Sequence, residues 1–221
     1  MQTQTDSPTR DRIVEAATDL VIERGYEAAT MRDIAERAGV SLGSAYHYFR
    51  GKEELIGGIY IRIAEEHAEK ARRDMAGQRK FLARLEAAAF AYLDVLEPYR
   101  ALAEPLLALA IVPSSSLSPF SEESAPVRDT TLGLYREVVE GSNLATDMRL
   151  LPDLPHALWL MHTGITLAWV HDRSEGQTMT REVLARSLPA LDRMLWLGKM
   201  PLMRPLFNDA VEVLHLLRGG L

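Results

Sequence analysis

A helical pattern begins at Met31, stops at Gly39 and resumes within three residues, in the stretch "TMRDIAERAGVSLGSAYHYFRGKEELI" from Thr30 to Ile56. No other feature of the chain restricts its fold as strongly, because so short a connection forces two helices to cross at close range. Thr30 and Asp33 have the spacing of a capped helix start, with an acidic residue in the first turn. Ile34, Ala35 and Ala38 form a narrow apolar face, and Ala35 is small where a second helix must cross. Gly39 supplies the left-handed residue that ends a helix without a Cβ clash. Val40 plugs the corner, Ser41 caps the next helix, and Ala45 follows Ala35 by ten residues. Small residues so placed meet the steric needs of a helix-turn-helix, although a plain structural turn satisfies them too. Four rings then follow in a row, Tyr46, His47, Tyr48 and Phe49. On one helix they cannot all point inward.

The remainder of the chain is patterned at steps of three and four. Ile13, Ala17, Leu20 and Val21 share one stripe that Gly25 ends, and Leu55, Ile59, Ile63 and His67 share another on a helix of about six turns. Helices are predicted in the "QRKFLARLEAAAFAYLDVLEPYR" segment, closed by Pro98, and in the segment that ends at Pro113. Further helices are predicted over 127–139, 156–171 and 179–197, with Pro189 bending or dividing the last, and a final one over 201–217. The Ser- and Pro-rich run 113–126 reads as a mobile loop. No alternating run predicts a strand and no repeat is visible, so the fold class is all-α.

The 221 residues suffice for one large domain or two small ones, and nearly half are apolar. Absence of cysteine excludes disulfides and thiolate metal sites and suits a reducing cytoplasm. The start, "MQTQTDSPTR", shows no apolar leader segment. Eighteen residues without Asp, Glu, Lys or Arg lie between Asp153 and Asp172, but they hold Pro155 and three histidines. A helix in a core or subunit interface is expected there rather than a membrane span. The net charge of −6 argues against bulk attraction to nucleic acid. Its distribution softens that: residues 1–80 hold 13 Lys/Arg against 14 Asp/Glu, and residues 81–221 hold 12 against 17. A DNA-binding face in the first part would have to arise by placement.

A leading amphipathic helix, then "GYEAATMRDIAERAGVS", "YHYF" and "KEEL" in this order, resembles the tetracycline-repressor (TetR) family of bacterial regulators over roughly Arg10 to Tyr60. The resemblance implies a three-helix helix-turn-helix DNA-binding domain, here 1–52, followed by a larger helical ligand-binding and dimerisation domain, 53–221. It also assigns the rings: Tyr46 and His47 as contacts to phosphates or base edges, Phe49 as a core anchor, and Tyr48 as packed. Ser41, Leu42, Gly43 and Ser44 open the helix that such motifs place in the major groove. Gly43 permits close approach of backbone to bases, and Ser44 can pair with donors or acceptors. Leu42 departs from the polar or basic residue common in the family; it either meets a thymine methyl or is simply tolerated. Lys52 matches a lysine that the family sets against phosphate, with Thr30 and Arg32 as further candidates. For Arg32 the alternative is a pair with Glu36 at i,i+4. Since only Arg32 and Lys52 among these are charged, salt dependence is expected to be shallower than about 0.9 per contact.

Two-fold half-sites require a homodimer, and the resemblance implies a four-helix bundle from two apolar helices of each subunit. Leu184, Leu188, Leu191 and Leu195 form the candidate stripe. For a small hydrophobic or aromatic ligand, Trp159, His162, Thr166 and Trp169 follow steps of three, four and three, with Phe90, Tyr92, Met148 and Phe120 to join them. Each could instead be ordinary core. No metal-ligand set, cofactor fingerprint or catalytic constellation stands out, so no cofactor and no enzyme activity are expected. The sequence thus suggests a dimeric repressor of a double-stranded DNA operator, released by a ligand. The alternative is a helical small-molecule carrier or interaction protein without DNA binding.

Overall fold

The structure, a computed structural model, describes residues 8–146, 149–198 and 200–220. Among them are ten α-helices and no strand: α1 Pro8–Arg24, α2 Met31–Arg37, α3 Leu42–Tyr48, α4 Lys52–Asp74, α5 Phe81–Leu96, α6 Ala103–Ala110, α7 Ala125–Glu140, α8 Leu154–His171, α9 Thr178–Leu197 and α10 Arg204–Gly220. The helices form two compact units, Met1–Ile63 with Leu96–Val127, and Ala64–Val95 with Arg128–Leu221. The division falls inside α4, which contributes residues to both.

In the first unit, α1 buries Ile13, Val14, Ala17, Leu20 and Val21 and ends at Gly25, whose φ of 83° is the left-handed conformation expected there. Packing of α4 depends on a missing side chain. A Cβ on Gly58 would lie 3.0 Å from Val14 and 3.4 Å from Phe49, so the helix comes this close because that position is bare. Phe49 is fully enclosed, with the Arg10 guanidinium 5.1 Å above its ring. The serine-rich run is better held than its composition suggests. Ser121 Oγ donates to the carbonyls of Ser116 and Ser118, both at 2.9 Å, and Ser124 Oγ donates to Ser116 at 3.0 Å. Leu117 is buried within the knot.

In the second unit, α5, α7, α8 and α9 bury Leu85, Leu93, Leu134, Val138, Leu158 and Leu188. Arg84 donates to the carbonyls of Glu137 and Val138 at 2.7 and 3.2 Å, placing a cation on the carboxyl end of α7. The α8–α9 turn closes on Asp172. Its buried carboxylate accepts from the backbone N–H and hydroxyl of Ser174 and of Thr180, at 2.6–2.9 Å. Burial raises this carboxyl, and the four hydrogen bonds outweigh that, leaving it well below the ordinary carboxylate range. Of the two effects expected at Pro189, division does not occur: α9 runs from Thr178 to Leu197 with Pro189 inside it. Burial of Leu184, Leu188 and Leu195 offsets the lost backbone hydrogen bond. No helix among the described residues is long and apolar enough to cross a membrane.

Candidate functional site

Three short hydrogen-bonded devices set the α2–α3 face. Thr30 Oγ1 accepts from the Asp33 N–H at 3.2 Å, while the Asp33 carboxylate accepts from the Thr30 hydroxyl at 2.6 Å and its N–H at 3.3 Å. Gly39 turns the chain at φ 65°, and the Val40 N–H returns to the Ala35 carbonyl at 2.9 Å. Ser41 Oγ then accepts from the Ser44 N–H at 3.0 Å, starting α3. The crossing buries Ala35 and Ala45, at 2% and 0% exposure. With Ala45 fixed inward, the helical period decides the rings. Tyr46 and His47 are exposed, Tyr48 is half-buried with its ring edge-on to His47 at 5.4 Å, and Phe49 is core.

The neighbouring candidates fall in different situations. Gly43 is exposed and Leu42 and Ser44 are half-buried on the first turn of α3. Arg32 is exposed and forms no ion pair with Glu36 or any other described residue. Its neighbour Arg37 is instead engaged, bidentate on Glu23 at 2.7 and 2.8 Å. Lys52 is half-buried and tied inward: its ammonium donates to the Tyr26 carbonyl at 2.5 Å and lies 4.1 Å from that ring's centre. It fastens the α1–α2 turn to the start of α4.

A polar cluster occupies the second unit. His162 lies 3.9 Å from the Tyr92 ring, stacks on His67 at 5.4 Å, and meets Tyr135 edge-on at 5.9 Å. The Tyr135 hydroxyl and His162 Nδ1 are 3.2 Å apart. Thr166 donates to the His162 carbonyl at 3.0 Å, which leaves Tyr92 as the donor in its 2.7 Å bond to Thr166. His67 Nε2 faces the Ala88 carbonyl at 2.9 Å, and a carbonyl only accepts, so that nitrogen carries hydrogen. Burial pushes the His67 imidazole down to about 4, partly opposed by this carbonyl, and burial followed by repulsion from His67 holds His162 well below the ordinary value. Burial pushes Tyr92 up to about 12, against its bond to Thr166, and raises Tyr135 further. All four groups are therefore neutral at pH 7.

Of the ligand candidates from the sequence, His162, Thr166 and Tyr92 meet in this cluster. Trp159 and Trp169 are buried on the same helix, Phe90 is half-buried on α5, Phe120 belongs to the first unit, and Met148 lies outside the described residues. His67 and Tyr135 were missed as members. The signal for His67 was present, an imidazole on an otherwise aliphatic stripe of α4.

The α9 leucines differ in exposure. Leu184, Leu188 and Leu195 are buried against their own chain, and Leu191 is half-buried. A flanking side of α9, about 80–140° around the helix from the leucines, exposes Met179, Val183 and Met194, and α8 exposes Leu167.

Residues 13–59 match the family of bacterial regulatory proteins called tetR, and residues 84–212 match the tetracyclin repressor-like C-terminal domain. The chain belongs to the TetR family. TetR members are transcriptional regulators with a helix-turn-helix domain and a larger helical domain, and they are not enzymes. This chain is 36% identical over 77 residues to the transcriptional regulator UidR of Escherichia coli (strain K12), covering 35% of this chain and 39% of UidR. It therefore spans well under half of that relative. It is 29% identical over 150 residues to the transcriptional repressor KstR2 of Rhodococcus jostii, 64% of this chain and 71% of KstR2. In fold it resembles the TetR transcriptional regulator from Nitrosomonas europaea, with TM-score 0.60, 25% identity, and 83% and 98% of the two chains covered.

Proposed function

We propose that this TetR-family chain is a cytoplasmic, homodimeric repressor that binds a two-fold symmetric DNA operator and leaves it when a small ligand binds. Residues 1–52 carry the DNA contacts and 53–221 the ligand and dimer functions. The observation that carries this reading is the presentation of Tyr46 and His47, exposed on a helix whose opposite side is locked by Ala45 and Phe49. Neither ring is consumed by the core, and Arg32 on α2 is exposed and in no ion pair among the described residues. Thr30, Ser41, Leu42, Gly43 and Ser44 complete the DNA-facing set. Lys52 acts mainly by holding the turn, with its remaining hydrogen directed to phosphate. The exposed side of α8 and α9, with Leu167, Val183 and Met194, is the surface for the second copy.

The cluster around half-buried His162 is the ligand-recognising centre, offering neutral polar tips among rings to a small hydrophobic or aromatic molecule. Phe90, Trp159, Thr166 and Trp169 supply its surroundings, and Met148 remains a candidate from sequence. Because α4 contributes to both units, a ligand that shifts this helix alters the separation of the paired α3 helices from the ~34–36 Å of successive major grooves. Full reversal from bound to released requires a preference of about 5.5 kcal/mol between the two states. Selection of binding sites from random duplex DNA tests the proposal. A two-fold symmetric site is expected, and failure to enrich any site, with or without cell extract, would refute it.

A further inference from the structure

A cleft of about 450 Å³ opens in the second unit, between the start of α5, the loop at 143–145 and the end of α9. Phe81 and Leu144 give it an apolar floor, and Trp196, 54% exposed, forms one wall. Lys80 and Arg193 both line it, and neither pairs with a carboxylate among the described residues. Asp192 also lines it, so cations outnumber acids there by two to one in a chain of net charge −6. The first turn of α5 opens at the same place and holds no acidic residue to offset its dipole. The volume is within the ~300–1,000 Å³ typical of small-molecule sites.

This cleft is separate from the apolar side of α9. Trp196 follows Met194 by two residues, about 200° around the helix, so a second copy seated on Met194 leaves Trp196 accessible. Isolated surface cations ordinarily find acidic neighbours in an acidic chain. Here two of them flank an exposed indole and the positive end of a helix. We infer that the cleft binds a small organic anion, with its planar or apolar body on Trp196 and its carboxylate or phosphate between Lys80 and Arg193. Asp192 selects against more highly charged polyanions and gives a polar partner to any hydroxyl on the ligand.

Calorimetric titration of the full chain with 1-naphthoate, 1-naphthyl phosphate and neutral 1-naphthamide tests this. Saturable binding is expected for at least one anion, with the amide at least about tenfold weaker, and the tighter anion identifies the head group. The Lys80→Gln/Arg193→Gln variant is expected to lose about tenfold for that anion and little for the amide. Trp196→Leu is expected to weaken all three. Both sets of changes lie at exposed positions, and an unchanged melting temperature verifies folding. Equal binding of anion and amide, anion affinity unchanged in the double variant, or no saturable binding would each overturn the assignment. The His162 centre is itself proposed to take aromatic molecules, so the Lys80, Arg193 and Trp196 variants, which leave that centre unchanged, are what assign binding to this cleft rather than to that one.

Discussion

Tyrosine and histidine serve opposite purposes in the two units. On α3, Tyr46 and His47 are exposed, and their side chains make no hydrogen bond among the described residues. Around α8, His67, His162, Tyr92 and Tyr135 are packed ring against ring, with their polar atoms directed at one another, at Thr166 and at a backbone carbonyl. The residue types are the same, so chemistry alone does not decide their role. Register does: Ala45 fixes which side of α3 faces inward, while in the second unit helices on several sides bury His67, Tyr92 and Tyr135 and half-bury His162. A substitution on the outer side of α3 should therefore alter DNA binding without altering stability, and one among the packed rings of the second unit should alter stability.

The largest stability effect should come from Asp172→Ala. It removes the acceptor for four hydrogen bonds at the α8–α9 turn and strands a buried N–H, for an expected loss of at least ~3 kcal/mol in urea melts. A loss under about 1 kcal/mol would show that water replaces the carboxylate, and would weaken the contrast between the units.

Acid should act next, and on the second unit. His67 is held near 4 in the folded chain against 6.5 unfolded, so the unfolded chain binds more protons between those values. Stability is then fully present above pH 6.5 and falls as pH drops through 6.5 toward 4, by up to ~1.4 kcal/mol per pH unit for each such histidine. His162 shifts in the same direction and adds to the slope. His67→Leu should flatten the profile by about one proton. An unchanged profile would place the acid sensitivity elsewhere.

The smallest stability effect belongs to Thr30→Ala, which removes one half of the α2 capping box. About 1 kcal/mol is expected, confined to the first unit, and measurable as faster amide exchange in α2.

Much of the first unit was legible in the sequence because its devices are local. Thr30 and Asp33, Gly39, and Ser41 with Ser44 each act over three or four residues, a distance that spacing alone reveals. The second unit was legible only as helices. Tyr135 and His162 are 27 residues apart, and His67 and Ala88 are 21 apart, so their meeting depends on packing that periodicity does not encode. The α9 leucines show the same limit. A leucine stripe marks a buried side, but it does not state whether the burying partner is the same chain or another. For Lys52 the resemblance supplied a phosphate contact, whereas its carbonyl partners, 26 and 25 residues away, were beyond the reach of spacing.

The central claim is that α3 presents its outer rings to DNA rather than to the protein. Operator affinity and melting temperature, measured side by side for the Tyr46→Ala/His47→Ala variant, address it directly. A loss of at least about tenfold in affinity is expected, with the melting temperature unchanged within roughly 1 °C. Unchanged affinity, or a fall in melting temperature that accounts for the loss, would contradict it.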